Sequence, residues 1–447
     1  MPGGGTGSRP FPRQFWLLAA GTLVYLVGID MAYPFQAIYF SRDLGLSTTA
    51  VGIILGLTLL ATLPLQVVGG ALCDRLGRRP LLIVSICGSM TLFLGLGLTS
   101  NVALIVVLVT VEAGLGWAQY ATASNAMVAD LTPVEQRAEA FSIVRVALNT
   151  GMTLGPLVGG LLIARDPSFR LNFLGGCLVC GVFLAMVVFL FRETRPPATA
   201  ATPIGATFRG YGHVLRDRRM LAFCLVALFP LFGFGQIWVT LPIMLGDLHD
   251  VPVPLWSFTL VVYGACTALL QYPVVRLLCR FDHMLLLAFA STCVGIGMGA
   301  AAFVPWPLTI ACIVTVSLGI VILLPIAATV VSRLAPVELR GRYMGAWTLV
   351  YIGGYSLGPL LGGWALEALG GRGAFALIAA AGLTGAALFT LQRGHLPSGA
   401  GAGRGEPAEA VAAELAGAAP AGPVTQIPPL CEHESGSAPR TTRRPTP

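Results

Sequence analysis

Lysine is missing from this chain: all 27 basic residues are arginine. No GxxxxGK[ST] phosphate loop and no lysine Schiff base can therefore form, and ATP is not a direct energy source. Histidine is scarce, and its five copies, His213, His249, His283, His395 and His433, fall between the long apolar runs or in the C-terminal stretch. That removes a buried histidine relay and an intramembrane zinc site; no catalytic residue, metal or cofactor is implied. Charge is scarce as well. Only 11% of residues are charged while 55% are hydrophobic, whereas soluble domains carry about 25% charged residues. Such a chain cannot cover a soluble surface, and its solvent must be a lipid bilayer.

What is present is a series of apolar stretches of at least about 18 residues, the length a membrane helix needs. Twelve are predicted, near 15–40, 48–72, 81–99, 102–127, 141–164, 171–191, 220–246, 254–275, 284–305, 307–331, 343–366 and 373–392, numbered here as spans 1 to 12. An even number puts both termini on one side. Arginines crowd the loops of that side, six of them between Arg192 and Arg219, and the opposite loops hold Arg42, Arg165, Arg170 and Arg372. Basic residues are retained in the cytoplasm, so both termini are expected to be cytoplasmic. The net charge of +7 then reports topology, and nucleic acid is not an expected partner. The first apolar run has the length of a span and not of a signal-peptide core. Arginine without lysine points to a GC-rich bacterial source and so to a bacterial cell membrane.

Residues 131–160 and 334–363 align without gaps at an offset of 203, with 12 identities: Leu131, Pro133, Val134, Glu135, Arg137, Gly151, Leu154, Gly155, Pro156, Leu157, Gly159 and Gly160 recur in the second copy. The chain is a duplicated six-span unit. Expected boundaries are a tail at 1–14, a first bundle at 15–191, a basic connector at 192–219, a second bundle at 220–393 and a disordered tail, rich in Gly, Ala and Pro, at 394–447.

Between spans 2 and 3 the chain reads GGALCDRLGRRPLL, Gly69 to Leu82. Gly70, Leu72, Asp74, Arg75, Gly77, Arg78 and Arg79 fall on the positions of the signature loop of the major facilitator superfamily, which this sequence resembles. The resemblance covers about 15–392. It implies an all-α membrane protein of twelve helices in two pseudo-symmetric six-helix bundles, with a substrate site near the midplane between them, most like bacterial drug:proton antiporters. It also implies that the loop latches one state, Asp74 pairing with the N-terminal end of span 11 when the cytoplasmic side is closed. The second-half counterpart, QYPVVRLLCRFDH near 271–283, keeps Arg280 but no acid matching Asp74.

Two acids lie deep in the apolar runs. Asp30 in span 1 is about ten residues, roughly 15 Å, from the outer surface, and Glu112 in span 4 is roughly 16 Å from it. A charge at that depth costs on the order of 2.5 to 3.5 kcal/mol on insertion scales, so it should meet water, a partner or a substrate. Both are candidates for proton or cation coupling. Helical spacing would put Glu112, Gly116 and Gln119 on one face, with Tyr120 nearby. Drug antiporters usually carry an arginine in span 4, four residues before a Gly-any-Gly pair; here Thr110 stands there, and that role would shift to Arg145 in span 5. GMTLGPLVGG, Gly151 to Gly160, resembles a span 5 motif associated with antiporters. Gly151, Gly155, Gly159 and Gly160 permit close helix approach, and Pro156 removes a backbone donor.

The second half has no acid inside a predicted span. Its polar and aromatic cavity candidates are Gln236, Trp238 and Tyr351, with Tyr263, Trp347 and Tyr355, to be set beside Tyr33, Gln119 and Tyr120 of the first half. Aromatic faces with few fixed charges suit lipophilic or cationic small molecules. Cys177 and Cys180 form a CxxC inside an apolar helix, where small packing residues are expected. The resulting expectation is a secondary transporter exporting small lipophilic or cationic compounds against protons. A metabolite uptake carrier or uniporter of the same fold is the first alternative, and a transporter-like membrane receptor or interaction protein the second.

Overall fold

The computed structural model describes residues 10–133, 136–195, 211–278, 281–336 and 339–393. The expected tail at 394–447, residues 1–9 of the N-terminal tail, most of the connector (196–210), Arg280 and the repeat positions 134, 135, 337 and 338 lie outside these residues. Among the described residues, eleven helices are long and apolar enough to cross a membrane. The last, Arg340–Gln392, has 53 residues and breaks at Gly370, with φ 69° and ψ 173°. Its length of roughly 80 Å is more than twice a bilayer core, so it forms spans 11 and 12.

The other spans are Arg13–Ile38, Thr48–Leu76, Arg78–Leu98, Val102–Leu115 with Trp117–Leu131, Arg137–Arg165, Arg170–Leu190, Arg218–Gly235 with Thr240–His249, Val253–Leu278, His283–Ala300 and Thr309–Leu334. Spans 4 and 7 are thus each two helices, where the apolar runs suggested one. Span starts carry side-chain caps that satisfy free backbone donors: Ser47 accepts from the N–H of Ala50, Asn101 from Leu104, Asp217 from Arg219 and Met220, and Asp282 from Met284. Gly77, at φ 99°, makes the turn between spans 2 and 3, a backbone conformation that glycine adopts without a Cβ penalty.

The duplicated segment packs twice in the same way. In the first half Gly151 lies on Leu26 and Gly155 on Asp30; in the second Gly354 lies on Leu231 and Gly358 on Gly235. Span 5 therefore crosses span 1 as span 11 crosses span 7.

The halves meet at the end opposite the signature loop. Span 2 packs on span 11, where the Thr48 hydroxyl donates to the Gly363 carbonyl at 2.9 Å and the Thr49 N–H to Glu367 Oε2 at 3.2 Å. Span 5 packs on span 8 through Gly160 against Ser257 and Thr153 against Gly264. Phe35 and Trp256 bring their rings to 5.2 Å. Span 1 also touches the Thr240–His249 half of span 7, whereas Trp117–Leu131 and Arg218–Gly235, nearer the signature loop, pack chiefly within their own halves.

Candidate functional site

Asp30 sits at the crossing of spans 1 and 5. Gly155 presents no side chain there, and a Cβ would stand 2.6 Å from the Asp30 Cβ. The close approach leaves Asp30 only 7% exposed. Its Oδ2 is buried with no hydrogen-bond partner among the described residues, so a charge there would be costly in a membrane interior.

Glu112 is held differently. Ser89 Oγ donates to Glu112 Oε1 at 3.3 Å, and the Tyr25 hydroxyl lies 3.0 Å from Ser89 Oγ. The Tyr33 hydroxyl and the Trp117 N–H bond the same carboxylate. Gly116, at φ −83° and ψ −112°, ends the first helix of span 4, and a Cβ there would overlap the Glu112 carboxylate. Glu112 thus crosses the break and caps the helix that begins at Trp117.

That break corrects one expectation. Glu112, Gly116 and Gln119 do not form a continuous face, because the helix phase is lost at Gly116. Gln119 turns to span 2, donating from Nε2 to the carbonyls of Leu65 and Gly114 at 3.1 Å each, and Tyr120 donates to Thr22 at 2.8 Å. Thr110, standing where drug antiporters carry arginine, donates to the Val106 carbonyl from an exposed position.

The second half supplies an aromatic group. Phe234 lies 6.3 Å from Tyr263, 6.5 Å from Tyr351 and 5.2 Å from Tyr355; Tyr351 stacks on Tyr355, and Trp238 meets Tyr263 edge-on. Arg145 of span 5 lies within electrostatic reach of Tyr263 and Tyr351. Two cavity candidates belong elsewhere: Gln236 is fully buried, bonded to Thr240 and covered by Gly362, and Trp347 is fully buried against Phe223.

The signature loop is clamped within the first half. Arg78 Nε donates to Asp130 Oδ2 at 2.8 Å, and its Nη1 to Asp74 Oδ1 and the Cys73 carbonyl, both at 3.3 Å. Arg79 bonds the carbonyls of Val187 and Val188 at the end of span 6, and Arg195 Nη1 the Arg75 carbonyl. Glu193 accepts from the N–H groups of Arg78 and Arg79 at 2.9 and 3.1 Å, capping span 3 from the chain beyond span 6. Burial pushes the Glu193 carboxyl up, but bonds from the N–H groups of Arg78, Arg195, Arg79 and Thr194 outweigh it and hold it below the usual range. The expected Asp74 contact to span 11 is replaced here by Arg78. A Cβ on Gly70 would meet nothing within 4 Å.

Asp130 and Glu193 were not singled out from the sequence. The available signals were an acid near the end of span 4 and the FRETR segment, Phe191 to Arg195, directly after span 6. Cys177 and Cys180 pack: Cys180 Sγ faces Gly28, and Cys177 bonds the Met90 carbonyl at 3.6 Å.

The family model described as the Major Facilitator Superfamily matches residues 18–256 and 223–423. The chain belongs to this superfamily. Its members include a protein named multidrug resistance protein MdtH from Cronobacter sakazakii, 30% identical over 368 residues that cover 79% of this chain and 87% of that one. A Bacillus subtilis relative, the MFS-type transporter YqjV, is 24% identical over 83% of this chain and 90% of its own length. Among solved structures, a POT family transporter in complex with 5-aminolevulinic acid superposes with a TM-score of 0.72 at 12% identity, covering 88% of this chain and 98% of that one. The protein is accordingly a multi-pass membrane transporter of the superfamily and not an enzyme.

Proposed function

We propose that this transporter exports small lipophilic compounds from the bacterial cytoplasm in exchange for protons, alternating access between its halves at 15–191 and 220–393, with both termini cytoplasmic. The observation that carries the reading is Asp30, a buried acid with an unpartnered oxygen at the glycine-built crossing of spans 1 and 5. A proton taken up there would remove a charge from hydrocarbon. The multidrug-resistance name of the 30% identical relative and the aromatic wall of the second half support export of lipophilic molecules. Glu112 and Arg145 are further candidates for coupling, and the signature-loop residues for the latch. With the halves joined at the far end, Asp74 resting on Arg78 fits the inward-facing member of the cycle, the contact to span 11 forming when the loop side closes.

Thr110 in place of an arginine favours one second reading, an uptake carrier or uniporter. A growth-inhibition panel on cells with and without the transporter, repeated with a protonophore, separates them. Export predicts protection against lipophilic compounds that the protonophore abolishes; protection that survives the protonophore, or sensitisation by the transporter, contradicts it.

A further inference from the structure

Among the described residues Arg145 has no acid to answer it. Its Nε is buried, with no hydrogen-bond partner and no ion pair among the described residues, and the tyrosines of spans 8 and 11 lie within electrostatic reach of it. A guanidinium cannot shed its proton, so the buried part of this half-buried side chain, without a counter-charge, is a standing cost that a ligand can remove.

The face of span 5 on which Arg145 stands argues against a lipid-facing position. Val146, Leu154, Leu157 and Leu161 are exposed along one row. Gly151 and Gly155 face span 1, and Thr153 and Gly160 face span 8. At about 100° per residue, Arg145 falls between the span 1 row and the span 8 row, away from the exposed one. It therefore points to the space between the halves. The acids of the first half do not meet it: Glu112 is bonded to Ser89, Tyr33 and the backbone at the span 4 break, and Asp30 is covered by Gly155, which lies ten residues, roughly 15 Å, further along span 5.

From this geometry we infer that Arg145, on the side of span 5 turned to the space between the halves, is the binding site for an anionic group of the transported molecule, so that aromatic carboxylates are preferred over their neutral or cationic counterparts. Guanidinium binds carboxylate with two charge-assisted hydrogen bonds, and aromatic walls bury the attached ring. The inference rests on the export reading for its substrate, and adds a charge preference that composition alone did not suggest.

Rhodamine 110 and rhodamine 123 share one xanthene and differ only in a free or methylated carboxyl, and they test the site. Fluorescence polarisation with the purified full chain in detergent should show rhodamine 110 binding at least tenfold more tightly. Arg145→Gln should bring the ratio close to one, through weaker rhodamine 110 binding with rhodamine 123 binding unchanged or tighter, and Arg145→Lys should keep part of the preference. A wild-type ratio near one, no binding of either dye, or an undiminished ratio in Arg145→Gln overturns the site; should that variant not fold, the wild-type ratio and Arg145→Lys decide. Binding without preference, together with protonophore-sensitive protection in the growth panel, removes the anion site and leaves export standing. Arg145-dependent preference without such protection keeps the site and removes export.

Discussion

At the start of span 3, Arg78 meets Asp130 near the end of span 4 at 2.8 Å. At the corresponding places in the second half stand His283, the first residue of span 9, and Arg333 in span 10, with ring and guanidinium nitrogens 3.5 Å apart. The same divergence recurs inside the membrane. Against the paired glycines Gly155 and Gly358 lie Asp30 in one half and Gly235 in the other, and the repeat offset of 203 puts Thr348 where the first half has Arg145. The packing frame is common to both halves, while among the described residues the membrane-buried acids and the Arg78–Asp130 pair belong to the first, and the second half's ion pair, Arg393 with Asp282, lies at its loop side. Duplication kept the glycines because two backbones must approach closely in each copy. The charges had no such requirement and persist where a proton, an ion or a latch would need them.

The sharpest way to break that comparison is to fill the two glycine crossings. A Cβ at Gly155 would stand 2.6 Å from the Asp30 Cβ, and one at Gly358 would stand 2.6 Å from the Gly235 Cα. Gly155→Ala and Gly358→Ala should each cost about 1 to 3 kcal/mol or more, read as similar losses of thermal stability in detergent. A large loss at one and none at the other would mean that the crossings are not equivalent.

The next effect concerns the loop-side pairs. Arg78→Ala leaves Asp130, Asp74 and a buried region without their cation. The loss should be about 3 kcal/mol, the low end for a buried pair because the Asp74 side chain is 39% exposed. His283→Ala should cost clearly less, since the ring is 3.5 Å from another base and no charge is stranded. Equal losses would show that the second half relies on its pair as much as the first.

How much of this was legible follows from what each residue answers to. Hydropathy sets the spans, and the twelve apolar runs match the helices because length and composition alone decide what can cross a bilayer. The breaks at Gly116 and between Gly235 and Thr240 were not legible, because glycine inside an apolar run is ordinary in membrane helices and only the Glu112 carboxylate on Trp117 N–H shows what the break is for. Asp30 could be singled out as an acid in hydrocarbon. That Glu112 is bonded on all sides and Arg145 is not could not be, since both depend on helix rotation and on partners far away in sequence. Glu193 was missed for the same reason: it caps a helix more than 110 residues earlier in the chain.

A smaller effect sharpens that last point. Glu193→Gln should lower stability by about 1 kcal/mol, the scale of a lost N-cap. The folded carboxyl is held below its ordinary range, so its contribution is present above the unfolded value near pH 4.3 and is lost as pH falls through the folded value. The variant and the wild type should therefore differ at neutral pH and converge on acidification. A difference that persists or grows at low pH would contradict the cap.

The central claim, that coupling resides in the first half at Asp30, is tested most directly in proteoliposomes with a compound selected by the growth panel. Under an imposed pH gradient the wild type should accumulate the compound, and Asp30→Asn should accumulate none while still exchanging labelled for unlabelled compound at a measurable rate. Accumulation by Asp30→Asn at the wild-type level would contradict the account.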